Sequence, residues 1–288
     1  MKMLIANVLT AIGRTRGLGG VARRFLRGYR DGSVTKIKTG IARGMNWRRF
    51  HKFSNGYWLG QYEVDTQWCL KEQLKAGDRV FDIGANAGFF VAVCSRLVGT
   101  EGFVLAVEPF PEFADRVRDL IKLNTLTHVS LVQAAVSDAE GSEMMTTCLG
   151  SKQKLQSQEN SPQASIAVAV TTLDRLAEEF GDPDLVLMDI EGQEANAVRG
   201  GLSLLRRARP TLIIETHFHK ESKGFLISEQ LRDLLKPIGY ELHNIDGSPA
   251  TAEQKDGPGL LPDRLLALHP ARAISARSNS GPSEAGAA

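Results

Sequence analysis

Cysteine is scarce in this 288-residue chain: Cys69, Cys94 and Cys148 lie far apart and no CxxC pair occurs. That excludes a zinc knuckle and a disulfide-stapled secreted domain, and it suits a reducing cytoplasm. Long apolar runs are also lacking, since nothing approaches the roughly 20 residues needed to cross a bilayer. At 42% hydrophobic and 24% charged residues, neither a disordered nor a collagen-like chain fits. The length is enough to close one sizeable α/β core. Acidic residues are nearly missing from the first 52 positions, which hold Asp31 alone against 13 Lys or Arg, whereas the remainder carries 22 basic and 32 acidic residues. The net charge of +2 therefore conceals a basic arm joined to an acidic body.

Within the arm, Leu18, Val21, Ala22, Phe25, Leu26 and Tyr29 recur at helical spacing while Arg23, Arg27 and Arg30 turn away from them. The pattern predicts a basic amphipathic helix. Such a helix suits peripheral contact with an anionic membrane, where each nearby basic residue contributes on the order of 1 kcal/mol, or contact with nucleic acid. Docking on its own domain with a solvated basic face is the plainer reading and the preferred one. Residues 1–12 are apolar, but Lys2 is a thin basic start and no small-residue cleavage site precedes the arginines, which argues against a signal peptide.

From residue 79 onward, short apolar strands alternate with amphipathic helices. Strands are expected over 79–83, 103–108, 129–132, 185–189, 211–215, 240–244 and 265–268, and helices over 65–74, 89–98, 111–123, 172–179, 195–207 and 228–236. Alternation of this kind predicts an α/β fold with a mostly parallel sheet covered on both faces. Residues 1–54 read as the basic extension and 55–270 as the catalytic domain. Its insertion at about 142–170 consists of a polar stretch between two segments able to pair as a hairpin. The Ser/Ala/Gly-rich tail at 271–288 is expected to be disordered.

The most informative segment is VFDIGANAGFF at 80–90, where a buried strand ends in Asp82 and then Gly84 and Gly88 bracket the turn into a helix. A dinucleotide-binding turn would read GxGxxG and seat a diphosphate on the helix N-terminus. Here Asn86 replaces the second glycine, and an aspartate stands where phosphates would crowd. A ligand with a cationic end and no phosphate is favoured instead, and S-adenosylmethionine carries both an ammonium and a sulfonium. Glu108 closes the next strand 26 residues later, where its two oxygens can accept hydrogen bonds from both hydroxyls of a ribose. Phe110 is a candidate to stack on the adenine, and Ala135, opening the 135–138 loop, is a candidate edge contact.

With these residues in place, the chain resembles the FkbM family of S-adenosylmethionine-dependent methyltransferases over about residues 57–217. The segments that carry the resemblance are WLGQYE, FDIGANAGFF, AVEPFPE, QAAVSD, VTTLDRL, LVLMDIEGQEANAVRGG and RPTLIIETH. The resemblance implies a class I methyltransferase fold: Rossmann-like, seven-stranded, with helices on both faces and an antiparallel last strand at 265–268. It also implies methyl transfer to oxygen, typically a hydroxyl of a sugar, glycan or natural product. By position, Asp82, Gly84, Asn86 and Gly88 belong to the cofactor loop, Glu108 to the ribose site, and Asp189 and Glu191 to the acidic signature after the fourth strand. The basic arm lies outside the family core.

Methyl transfer to an alcohol needs in-line positioning and a base for the hydroxyl proton. Asp189 and Glu191 are expected at the sheet edge where ligands of open α/β folds bind, and are the first candidates. Glu215 and His217 end the next strand; His217 is a candidate base because its unperturbed pKa suits proton pickup near neutrality. The same four residues have the oxygen-rich character of a magnesium site, but loose carboxylate clusters are common in acidic clefts and no metal is assigned. The expected partner is thus a small-molecule or glycan acceptor. Trp47, Phe50, Phe53, Tyr57 and Trp58, interleaved with Arg48, Arg49 and Lys52, would suit an RNA methyltransferase. However, the DIEG motif lacks the Asp/Asn-Pro-Pro-aromatic turn of base-directed enzymes, so nucleic acid is disfavoured. A cofactor-binding scaffold without turnover is the third alternative.

Overall fold

The computed structural model describes residues 28–146, 165–216, 223–250 and 263–271. Nearly all of the helix expected over 18–29, the polar centre of the insertion, His217 and the tail beyond 271 lie outside the described residues. In chain order the first elements are β1 (Val34–Lys36), β2 (Asn46–Arg48), α1 (Asn55–Leu59) and α2 (Val64–Gln73). The alternating unit follows as β3 (Arg79–Ile83), α3 (Phe89–Val98), β4 (Phe103–Val107), α4 (Pro111–Asn124) and β5 (Val129–Val132). Next come β6 (Ala135–Val136), β7 (Gly141–Thr146), β8 (Ser165–Thr171), α5 (Leu173–Phe180) and β9 (Leu185–Met188). The last elements are α6 (Glu194–Arg199), α7 (Leu202–Ala208), β10 (Thr211–Glu215), α8 (Lys223–Leu235), β11 (Glu241–Asn244) and β12 (Arg264–Leu268).

Seven strands form the main sheet in the order β11-β12-β10-β9-β3-β4-β5. The ladders joining β10, β9, β3, β4 and β5 are parallel, while β12 runs antiparallel between β10 and β11. This is the expected class I sheet, with residues 265–268 supplying the antiparallel strand. Its strands are apolar on both faces because both are covered. Val80, Ala106 and Leu187 pack on one side with α3, and Phe81, Ile83, Leu105, Val107 and Met188 pack on the other with α5, α6 and α7. Asp82 falls on the Val80 side by the two-residue strand period. The segments flanking the insertion pair as an antiparallel hairpin, with Ser142 opposite Ala169, and β6 adds a parallel third strand to it.

Two local departures have physical causes. The helix expected over 195–207 is broken into α6 and α7 at Gly200 and Gly201. A Cβ on Gly200 would lie 2.2 Å from the Ser137 carbonyl oxygen and one on Gly201 2.8 Å from Leu173 Cβ, so only glycines permit this approach. Further upstream, residues 28–54 are tied to the domain on the amino side of the boundary drawn at 54. Asn46 exchanges hydrogen bonds with Asn124, Arg48 makes a paired contact with Asp119 at 3.0 Å, and Trp47 is buried against Tyr57 and Phe89. Among the described residues no helix is long and apolar enough to cross a membrane.

Candidate functional site

The parallel strands β3 and β9 release their chains side by side at the carboxyl edge of the sheet, and both turn at once. Gly84 adopts φ 87°, and a Cβ there would lie 1.9 Å from the Asp189 carbonyl oxygen. The glycine is thus required twice, by its left-handed backbone and by the backbone of the neighbouring strand end. Asn86 also sits at positive φ, 48°, a conformation that Asn tolerates better than most side-chain-bearing residues. Its Oδ1 accepts from the Ala87 N–H at 2.7 Å, which locks the turn. Gly88, at φ 86°, starts α3.

An open pocket lies over this turn, with about 530 Å³ of empty space that is continuous with solvent. Asp82, Gly84, Ala85, Asn86 and Ala87 line one part of it, Asp189 and Glu215 another, and Tyr57, Tyr62, Glu63, Thr66, Phe89 and Arg264 close it. The wall carries four carboxyl groups against one guanidinium. Asp82 is 2% exposed, and among the described residues its Oδ2 has no hydrogen-bond partner. Burial, and then the neighbouring Glu108, pushes it up to about 7. A buried, unpartnered carboxyl oxygen facing a pocket matches a cationic ligand group and rejects phosphate.

Glu108 is also buried, and each of its oxygens already accepts a backbone N–H, Oε2 from Asn86 at 2.8 Å and Oε1 from Phe110 at 2.9 Å. These bonds bind the glycine turn to the strand beside it and still leave a lone pair on each oxygen for a diol. Burial outweighs them and raises the group to about 7. The residues present therefore fit a ligand with a cationic end and a ribose, on the chemistry of their donor set. Glu108, Phe110 and Ala135 are not among the residues that line the pocket. Phe110 is the residue before α4, half-buried and edge-on to Phe113, and Ala135 opens β6 opposite Val170.

Of the acceptor-side candidates, Asp189 lines the pocket, as does Glu215. Glu191 stands on the exposed turn before α6, at φ 55°, and is not a lining residue. His217 lies outside the described residues. Sequence reasoning assigned no role to Glu63, Tyr62 or Arg264. The signal for the first two was present, because WLGQYE ends in Tyr62 and Glu63, but nothing local in it tells which side chain faces a ligand. Arg264 is brought in by the antiparallel strand, directly opposite Glu215.

Compared with known proteins, the profile of the methyltransferase FkbM domain matches residues 82–242. Over 174 residues, 58% of this chain and 68% of the relative, the sequence is 26% identical to the hexuronic acid methyltransferase AglP of Haloferax volcanii. A stretch of 60 residues, 21% of this chain and 28% of the relative, is 37% identical to the protein-L-isoaspartate O-methyltransferase of Ignicoccus hospitalis. The chain thus spans less than a third of the length of the isoaspartate methyltransferases it matches. The crystal structure of methyltransferase FkbM from Methylobacillus flagellatus superposes with a TM-score of 0.43 at 12% identity, covering 75% of this chain and 53% of that one.

Proposed function

The chain belongs to the FkbM methyltransferase family, and from that premise we propose that it moves a methyl group from S-adenosylmethionine to a hydroxyl oxygen of a sugar, glycan or natural product. The observation that carries this reading is one pocket in which Asp82, whose buried Oδ2 has no hydrogen-bond partner among the described residues, and Asp189 meet over the glycine turn. Bound there, S-adenosylmethionine would supply an electrophilic methyl on a sulfonium. Asp82 holds the cationic end, Gly84 and Asn86 let the backbone approach closely, and Glu108 takes the ribose hydroxyls with its remaining lone pairs. Phe110 and Ala135 are assigned to the adenine side.

Asp189 orients the acceptor hydroxyl toward the methyl carbon, and Glu191, exposed on the turn before α6, serves the rim where the acceptor enters; His217 is kept as a candidate base on sequence grounds alone. Positioning of this kind can supply roughly 7 to 11 kcal/mol of a displacement barrier. The similarity to a hexuronic acid methyltransferase supports a sugar hydroxyl as the acceptor class. The test is calorimetric titration with S-adenosylmethionine, followed by transfer of labelled methyl into the hydroxyl-bearing fraction of a cell extract by wild type and Asp189→Asn. Submillimolar donor binding together with labelled ethers that Asp189→Asn forms slowly is the expected result. Absence of donor binding, or label recovered only in RNA or protein, overturns the reading.

A further inference from the structure

Glu63 has no role in the reading so far, yet it is one of the few residues other than glycine at positive φ among the described residues. It precedes α2 at φ 40° and ψ 65°, a left-handed backbone that a glutamate rarely adopts, and its side chain makes no capping hydrogen bond. Residues held this way persist only when the structure around them fixes them, and they cluster at active sites. Here the side chain lines the pocket instead, 13% exposed, with Oε2 3.4 Å from Arg264 Nη2 and 3.4 Å from the Thr66 hydroxyl, which donates to it. Arg264 is in turn held by Asp65 at 2.6 Å and by Glu215 at 3.6 Å.

The sheet sets where this cluster stands. Along the carboxyl edge the order is β3, β9, β10, β12; with strands about 4.8 Å apart, Glu215 is about 10 Å and Arg264 about 14 Å from the end of β3. Asp82, with its buried Oδ2 unpartnered among the described residues, marks the ligand end of the same pocket. Asp189 stands between, and Glu63 belongs to the far, acceptor half.

We propose that Glu63 is the carboxylate that takes the proton of the acceptor hydroxyl, with Arg264 and Thr66 fixing its orientation. The proposal rests on the hydroxyl-methylation reading above. The acceptor O–H bond breaks and its proton passes to Glu63. The acceptor oxygen bonds to the methyl carbon as the methyl–sulfur bond breaks, and that electron pair stays on sulfur in the neutral thioether that leaves. Burial and then Glu215 raise the Glu63 carboxyl, as does Asp65, while a hydrogen bond from Tyr62 and the Arg264 guanidinium oppose the rise. A carboxyl lifted toward neutrality is a stronger base than an ordinary glutamate.

The experiment follows single-turnover transfer of labelled methyl from S-adenosylmethionine into the protein-free, RNase-treated fraction of a cell extract between pH 5 and 9, with donor affinity measured alongside. Glu63→Gln is expected to slow transfer about 10²- to 10⁴-fold, to erase the rise of rate with pH, and to leave donor affinity within about twofold of wild type. Glu63→Asp recovers part of the rate, and Arg264→Gln moves the rising limb to higher pH because the cation that opposes the rise of the Glu63 carboxyl is gone. Without any acceptor, the carboxyl ¹³C resonance that Glu63→Gln removes should titrate above the usual glutamate range. Donor binding by wild type with no transfer to any hydroxyl overturns the methylation reading and this role with it. Wild-type transfer with an unchanged rate and pH profile in Glu63→Gln overturns the role of Glu63 alone. Should Glu63→Gln fail to fold, an unmoved limb in Arg264→Gln overturns it.

Discussion

Raising the pH from 5 to 8 is expected to weaken the ligand-free protein, and two buried carboxyls are the reason. Asp82 is displaced from 3.8 to about 7 by burial and by Glu108, and Glu108 from 4.5 to about 7 by burial. In the unfolded chain both ionise near pH 4, so between there and pH 7 the folded state keeps protons that the unfolded state has lost. Folded values raised in this sense contribute stability that is fully present below the unfolded pKa and is lost as pH climbs through the folded one. For Asp82 alone the whole displacement corresponds to about 4 kcal/mol, of which about 3 kcal/mol falls between pH 5 and pH 8. That is a large share of a domain's usual 5 to 15 kcal/mol. Urea unfolding of wild type and Asp82→Asn at pH 5, 6, 7 and 8 measures it, because the amide does not titrate. The wild type should lose stability across the series, and the variant should lose much less. Equal slopes in the two proteins would refute the assignment of Asp82 as a buried, uncompensated acid. Saturating S-adenosylmethionine at pH 8 should restore the wild type, because a cation beside Asp82 supplies the missing partner.

Three further outcomes follow from the same geometry. Glu108→Ala should weaken donor binding by about 1.5 to 3 kcal/mol in calorimetry, the usual worth of hydrogen bonds to a charged group; unchanged affinity in both Asp82→Ala and Glu108→Ala would remove the cofactor site. Gly84→Ala forces a Cβ to within 1.9 Å of the Asp189 carbonyl and a non-glycine residue into φ 87°, so donor binding should be lost and stability should fall by at least about 1 to 3 kcal/mol. A melting temperature equal to wild type would contradict the close approach of β3 and β9. Trp47→Ala should cost about 3 to 5 kcal/mol in urea unfolding, because the ring is buried against Tyr57 and Phe89. A cost under about 1 kcal/mol would mean that the β1-β2 hairpin merely rests on the domain.

The parts of this molecule that sequence disclosed are those whose cause is local. Strand bounds at 79–83 and 211–215 coincide with β3 and β10 because covered parallel strands are apolar throughout and stop at their turn residues. The DxGxNxG spacing disclosed the turn because each requirement, an acid at the strand end and positive φ at Gly84 and Gly88, belongs to one residue. The break between α6 and α7 was also written locally, as adjacent Gly200 and Gly201, and reading through them gave weight to helical periodicity over two residues that weaken it. Glu191 illustrates a different limit. A two-residue period places it on the same side as Asp189 only while the chain stays extended; β9 ends at Met188, and the left-handed turn at Glu191 carries the side chain to the exposed rim.

What the sequence withheld is the acceptor half, and the reason is topological. Glu63 and Arg264 are 201 positions apart, and neither has a spacing partner that marks it. They meet because β12 runs against its neighbours, so that its first residue, not its last, arrives at the carboxyl edge opposite Glu215. Had that strand been parallel, Leu268 would stand there, and Glu63 and Glu215 would face each other without a cation between them. Two carboxylates in one half-buried site repel and one of them protonates. The guanidinium sits between them and offsets that repulsion, one planar group held by three acids. The reversal of a single strand thus supplies the charge that lets the proposed acceptor site be built from carboxylates, while the parallel strands beside it supply the turn proposed to bind the donor.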